Sequence, residues 1–315
     1  MLRQERSRHG EDSSFATRFY QKNEAFTAVT EGERAFKKAV EFIHASMFSK
    51  AGPYYEEAAL LYDRALTLFP VTGVEDNLNW SDLEDMLYYR RPVASAYQAY
   101  LGSAVACFQK AGWTEHEKRC MKRLEDFVSS FQTSAMEAIK RLEHGARLLN
   151  TAEHPRAMDE FLKAVVLFRE AAIRSPSEEM VFNMMMTKYF EAYGWYVLSK
   201  GKQFLCCGND AGAGQRFSTA GFLFLSASTH ATKEKQYLLS HSRNCDAYAA
   251  VSRANVMAFH GDRERVISEL EEAVGLWQEA HQLHQFSGYQ VRATGIKEAI
   301  ERIKASGILR RLVVS

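Results

Sequence analysis

Proline is scarce in this 315-residue chain: five in all, at Pro53, Pro70, Pro92, Pro155 and Pro176, and none in the long stretch after Pro176. Glycine is scarce as well, at 18. So few chain breakers argue against a fold of many short strands and tight turns. They suit long helices, whose interiors exclude proline through steric clash and a lost backbone donor. Long hydrophobic runs are missing too; the longest, Ala220 to Leu225, is far short of a membrane span. Five cysteines, an odd number, do not read as a disulfide framework. The expected compartment is therefore reducing, the cytoplasm. Cys107, Cys120 and Cys245 fall in helical patterns, where a cysteine acts as a small buried hydrophobe. No excess of one charge exists: 40 Lys+Arg stand against 39 Asp+Glu, a net +1. That balance gives no whole-molecule drive toward nucleic acid or an anionic membrane. The opening residues MLRQERSRHGEDSS lack the apolar core of a signal peptide. Arg3, Arg6 and Arg8 faintly suggest a mitochondrial presequence, against which Glu5, Glu11 and Asp12 argue.

What is present is helical periodicity. Residues 1–14 read as a flexible polar segment, and helical patterning begins near Phe15. Phe36, Ala39, Val40, Ile43 and Met47 recur at steps of three and four, which predicts a helix over 33–50. Ala51-Gly52-Pro53 is expected to break it. A second helix carries Ala58, Leu61, Tyr62, Ala65 and Leu68 and stops at Pro70. Residues 71–81 read as a loop, with Ser81 and Glu84 spaced as a capping box. The next helix is expected to break at Pro92 and resume through Tyr97, Leu101, Ala104 and Phe108. Further helices are predicted over about 114–130, 132–150, 154–174 and 176–205, then 215–230, 233–259, 262–283 and 290–306. Residues 208–214 (GNDAGAG) read as a flexible loop. The expected fold is all-α, about ten to twelve helices stacked as antiparallel hairpins. An array over 15–207 is expected to continue as a C-terminal bundle over 215–315.

Three segments repeat a pattern of small and large residues. In 138–171, Gly145, Ala157, Phe161 and Ala164 stand at positions 8, 20, 24 and 27 of a 34-residue unit, which resembles the tetratricopeptide repeat. In 39–72 the same places hold Ser46, Ala58, Tyr62 and Ala65, with Pro70 at the terminal proline position. In 247–280 they hold Ala254, Val266, Leu270 and Ala273. Helices near 176–205 and 233–259 exceed the standard unit, which resembles divergent arrays such as the soluble NSF-attachment-protein family. The first hairpin, with GPYYEEAALLYDRAL, also resembles a microtubule-interacting-and-transport domain, a relative that binds helical peptide tails. An unrelated helical bundle rich in alanine would show similar small-residue spacing.

The tetratricopeptide resemblance implies a concave face lined by the first helix of each unit. Its positions would be Val40, Ile43, Met47 and Lys50, then Ile139, Leu142, Ala146 and Leu149, then Tyr248, Val251, Asn255 and Ala258. The lysine and asparagine clamp by which some members hold acidic tails is absent there. A mostly apolar lining implies either a groove for a helical or apolar peptide or burial by neighbouring helices.

Catalytic motifs are absent. His281 and His284 share a helix face, but no further ligands stand at zinc spacing. Adjacent Cys206 and Cys207 lack redox or zinc spacing. Gly208, Gly212 and Gly214 lack the GK[ST] that follows a phosphate-binding loop. The run Met184-Met185-Met186, with Phe182 and Tyr189, reads as core or interface. Ala65 to Tyr89 holds no basic residue, while Glu75, Asp76, Asp82, Glu84 and Asp85 are acidic. Near the other end Arg292, Lys297, Arg302, Lys304, Arg310 and Arg311 outnumber Glu298 and Glu301, and Ile296, Ile300 and Ile303 form a stripe. A basic amphipathic helix can lie on a membrane or cap an array. The expectation is a non-enzymatic adaptor or scaffold binding protein partners, with no cofactor, metal or nucleic acid. A membrane-trafficking adaptor and a helical enzyme without a recognisable motif are the alternatives.

Overall fold

Ten α-helices and one π-helical turn make up the computed structural model, which describes residues 2–69, 85–151, 153–176, 179–306, 309, 311 and 312. In chain order they are α1 (Leu2–His44), α2 (Phe48–Leu68), the π-turn Asp85–Arg90, α3 (Arg91–Ala111), α4 (Thr114–Asn150), α5 (His154–Arg174), α6 (Glu179–Cys206), α7 (Asp210–His230), α8 (Lys235–Phe259), α9 (Arg263–Leu283) and α10 (Ser287–Ser306). No strand occurs among the described residues. Two compact units divide the chain: Met1–Thr133 with Glu170–Ser177, and Ser134–Arg169 with Glu178–Ser315. The expected boundary at 208–214 falls inside the second unit.

In the first unit α1 packs on α2, and α2 on α3. Alanines such as Ala39, Ala51, Ala59 and Ala104 bring the backbones close, and Tyr62, Tyr97, Leu101 and Phe108 fill the space between. The break between the first two helices lies at Ala45–Met47, not at Ala51-Gly52-Pro53. Ser46 makes the turn at φ 55°. Pro53 is tolerated inside α2, where near the N-terminus it forgoes a single backbone bond. Ser46 is therefore a turn residue and not the small packing residue of the repeat pattern; the edge of the Tyr62 ring instead meets Gly32 on α1. Pro92 begins α3 rather than breaking it, directly after the π-turn. Pro70 and the Ser81–Glu84 pair lie outside the described residues.

In the second unit α6 through α10 pack each on the next. On α4 and α5, Gly145 faces the Phe161 ring, where an added Cβ would come within 2.7 Å, and Arg141 bridges Glu137 at 2.8 Å and Glu160 at 3.0 Å. Phe161, Phe217, Phe224, Tyr248 and Trp277 are fully buried. The expected break between 130 and 132 is absent, and α4 runs through it, because neither proline nor glycine stands there to end a helix. The expected 208–214 loop shrinks to a tight turn. Gly208 adopts φ 80°, and the Asn209 side chain accepts from Gly212 N at 2.9 Å, capping α7 and starting it at Asp210.

Candidate peptide-binding groove

The turn after α6 leaves Asp210 as the first residue of α7, where the positive end of a helix favours a carboxylate. Across from it the C-terminal half of α8 presents Asn255. Beyond α10 the chain returns to this place. Arg311 donates from Nε to Asp210 Oδ2 at 2.7 Å and from Nη2 to Oδ1 at 3.0 Å, and also to the Leu205 carbonyl. Hydrogen bonding to the carboxylate raises the guanidinium pKa further. The Asn255 amide donates to the Leu312 carbonyl at 2.8 Å and to Asp210 Oδ1 at 3.0 Å, and its oxygen accepts from Leu312 N at 2.8 Å. One buried side chain thus satisfies both main-chain groups of one residue.

Space continues past that contact. A cavity of about 490 Å³ is lined by Gly208, Asp210, Asn255, Phe259, Leu309 and Arg311. A second, of about 330 Å³, shares Asp210, Ala211 and Val256 with it and extends to Ser218, Ser252 and Met257. Together they form a groove between α7 and α8. At its rim Phe259 is 89% exposed, an apolar ring left in water.

Two of the expected site residues, Asn255 and Arg311, came from separate sets, the concave face and the basic patch, and the structure brings them to one place. The others are dispersed. Val40 and Ile43 are half-buried, Ile43 against the first unit's core. Met47 sits at the start of α2, not on the first helix, and is exposed, as is Ile139 on α4. Leu142 and Leu149 are half-buried. Tyr248 is fully buried, stacked on Phe217 and edge-on to Trp277, so it cannot line an open surface.

The C-terminal patch is likewise divided. Lys304 pairs with Glu271 at 3.2 Å, Arg302 is exposed, and Arg310 lies outside the described residues. Ile296, Ile300 and Ile303 are buried; the stripe packs within the protein and offers no free face to a membrane. No helix among the described residues is long and apolar enough to cross a membrane. No group of three or more His, Cys, Asp or Glu that could hold a metal occurs among them either. His281 contacts the Phe286 carbonyl at 3.3 Å and His284 stands edge-on to Tyr237. Met185 and Met186 are buried while Met184 is exposed. Asp210 was hidden from sequence reasoning inside a glycine-rich stretch. The Asn209-x-x-Gly212 spacing, a cap signal, is the feature that could have found it.

No family model, no curated protein and no solved structure matches the chain.

Proposed function

We propose that this chain is a non-enzymatic adaptor of tetratricopeptide-like hairpins, working in the cytoplasm and binding an extended segment of a partner protein in the α7–α8 groove. The observation that carries this reading is the Asn255 amide holding both the N–H and the C=O of Leu312. Main-chain pairing of that kind serves an extended peptide, whose N–H and C=O at one residue point to the same side. A helical segment would have both groups engaged internally. Extended rather than helical recognition is therefore the form this geometry favours.

A photo-crosslinking amino acid in place of Phe259, compared with the same group in place of Val291, which is 71% exposed on α10, tests the reading in native extract. The expected result is discrete adducts at 259, mapped to one peptide stretch of each captured protein, and none at 291. Equal adduct patterns at both positions, or none at 259, would defeat it.

A further inference from the structure

The groove carries a charge signature, and what that signature implies for an occupant rests on the peptide-binding reading. Among the described residues lining the two cavities, Asp210 is the one carboxylate. The other charged residues among those described there are Arg311, its partner, and Arg253, which is paired with Glu269 at 2.8 Å and Glu272 at 3.0 Å. Both Asp210 oxygens receive donors from one guanidinium, and that guanidinium also reaches the Leu205 carbonyl. A planar fork of donors meets this demand; a lysine ammonium supplies a single point charge and cannot. Asn255 then reads the main chain of the next residue, which fixes register: an arginine in the Asp210 seat places its successor against Asn255. The successor's side chain, here that of Leu312, lies with Ile303 and Ala299 at a further cavity of about 570 Å³. An aliphatic side chain suits that place.

We propose that the groove selects an extended segment in which arginine is followed by a large aliphatic residue, and that the chain's own Arg311-Leu312 occupies this seat in cis. An intramolecular occupant on a short tether competes at an effective concentration of about millimolar, so a partner segment must displace it. The Arg311 side chain remains 36% exposed, and the 490 Å³ beside it, walled in part by Leu309 and Arg311 themselves, runs on to Phe259, where a longer incoming segment gains contacts once the tail is displaced.

The test uses a fluorescent peptide of sequence GILRRLVVS, the chain's residues 307–315, titrated with full-length protein and followed by anisotropy. Arg311→Asp sets two carboxylates against each other, releases the tail and leaves the seat intact. That variant is expected to bind the peptide at least tenfold more tightly than the unsubstituted protein. Adding Asn255→Ala is expected to reverse the gain. A peptide with lysine in place of its second arginine, which leaves the protein untouched, is expected to bind the Arg311→Asp variant at least fivefold more weakly. The proposal is overturned by equal binding of the two full-length proteins, or by indifference to the lysine peptide. Either result leaves the adducts at position 259 to stand or fall separately, so loss of this specificity is distinguishable from loss of the groove itself.

Discussion

Two half-buried titratable side chains of the second unit respond to pH in opposite ranges. Lys202 lies 5.4 Å from the centroid of the Tyr248 ring, and Arg292 lies 5.6 Å from the same ring. Burial, then the nearby Arg292, lower the Lys202 pKa from its ordinary 10.5 to about 8. Cation–π contact offsets part of this cost. A cation with a depressed folded pKa is a liability below that pKa, and the liability fades as pH rises from about 8 to 10.5. Lys202→Met is therefore expected to stabilise the protein at pH 7 by about 1–2 kcal/mol, an advantage that shrinks above pH 8 in urea titrations. His241 behaves in the opposite pH range. Its ring lies 4.7 Å from Trp195, 4.4 Å from Tyr237 and 5.3 Å from Phe224, and its Nε2 has no hydrogen-bond partner among the described residues. Burial, with His284 and Arg292, lowers its pKa from 6.5 to about 3. Between those values the unfolded chain takes a proton that the folded chain refuses, so stability falls as pH drops below 6.5. His241→Phe is expected to recover about 2 kcal/mol of the loss between pH 7 and pH 5. Parallel slopes for the variant and the unsubstituted protein would contradict the assignment.

At the scale of helices, one packing device recurs. Gly145 on α4 faces Phe161 on α5, and Gly201 on α6 faces Phe217 on α7; in both, an added Cβ would lie 2.7 Å from the ring. The two pairs share a sixteen-residue spacing. Ala157 and Ala164 are buried beside Phe161, and Ala213 and Ala220 beside Phe217. Gly145→Ala and Gly201→Ala are each expected to destabilise by about 1–3 kcal/mol, although alanine is the better helix former. Gly102→Ala and Gly275→Ala, where nothing lies within 4 Å, are expected to stabilise by about 0.5–1 kcal/mol. Thermal denaturation of the four variants separates crowding from propensity.

The same device shows what was legible. The Gly145–Phe161 pairing was visible from spacing alone, because a small residue and a ring recur where two helices must touch. The equivalent segment 194–227, with Gly201, Ala213, Phe217 and Ala220 in the same places, is masked as a repeat. Its register crosses residues 208–214, whose glycines read as a loop. What decided otherwise was local capping at Asn209 and the helical start at Asp210. The groove was only half legible for the same reason. Asn255 falls at a concave position of the repeat pattern, but its partner carboxylate lies in the glycine-rich stretch that reads as a loop. The contact with Leu312 joins residues 57 apart, a separation no local periodicity reports.

Taken whole, the molecule carries its own probes of which parts open together. Cys206 and Cys207 are exposed, whereas Cys107, Cys120 and Cys245 are buried. Burial raises the Cys107 thiol, holds Cys120 near 11 and raises Cys245 well above 9, so the buried three react only after opening. Cys107 and Cys120 belong to the first unit and Cys245 to the second. Glu56, buried on α2, receives Arg119 at 2.7 Å and Arg123 at 3.1 Å from α4. Removing that carboxylate strands two guanidiniums, and Glu56→Ala is expected to cost the first unit about 1.5–3 kcal/mol, discounted because both arginines are partly solvated. Native-state thiol labelling of this variant, read residue by residue by mass spectrometry, should then show Cys107 and Cys120 reacting roughly ten- to a hundredfold faster. Because neighbouring hairpins contribute to stability mainly through their own interfaces, Cys245 should change by less than about twofold. Equal acceleration at all three sites would instead mean that damage at Glu56 is felt as far as the core around Cys245, and that the chain opens as a single cooperative block.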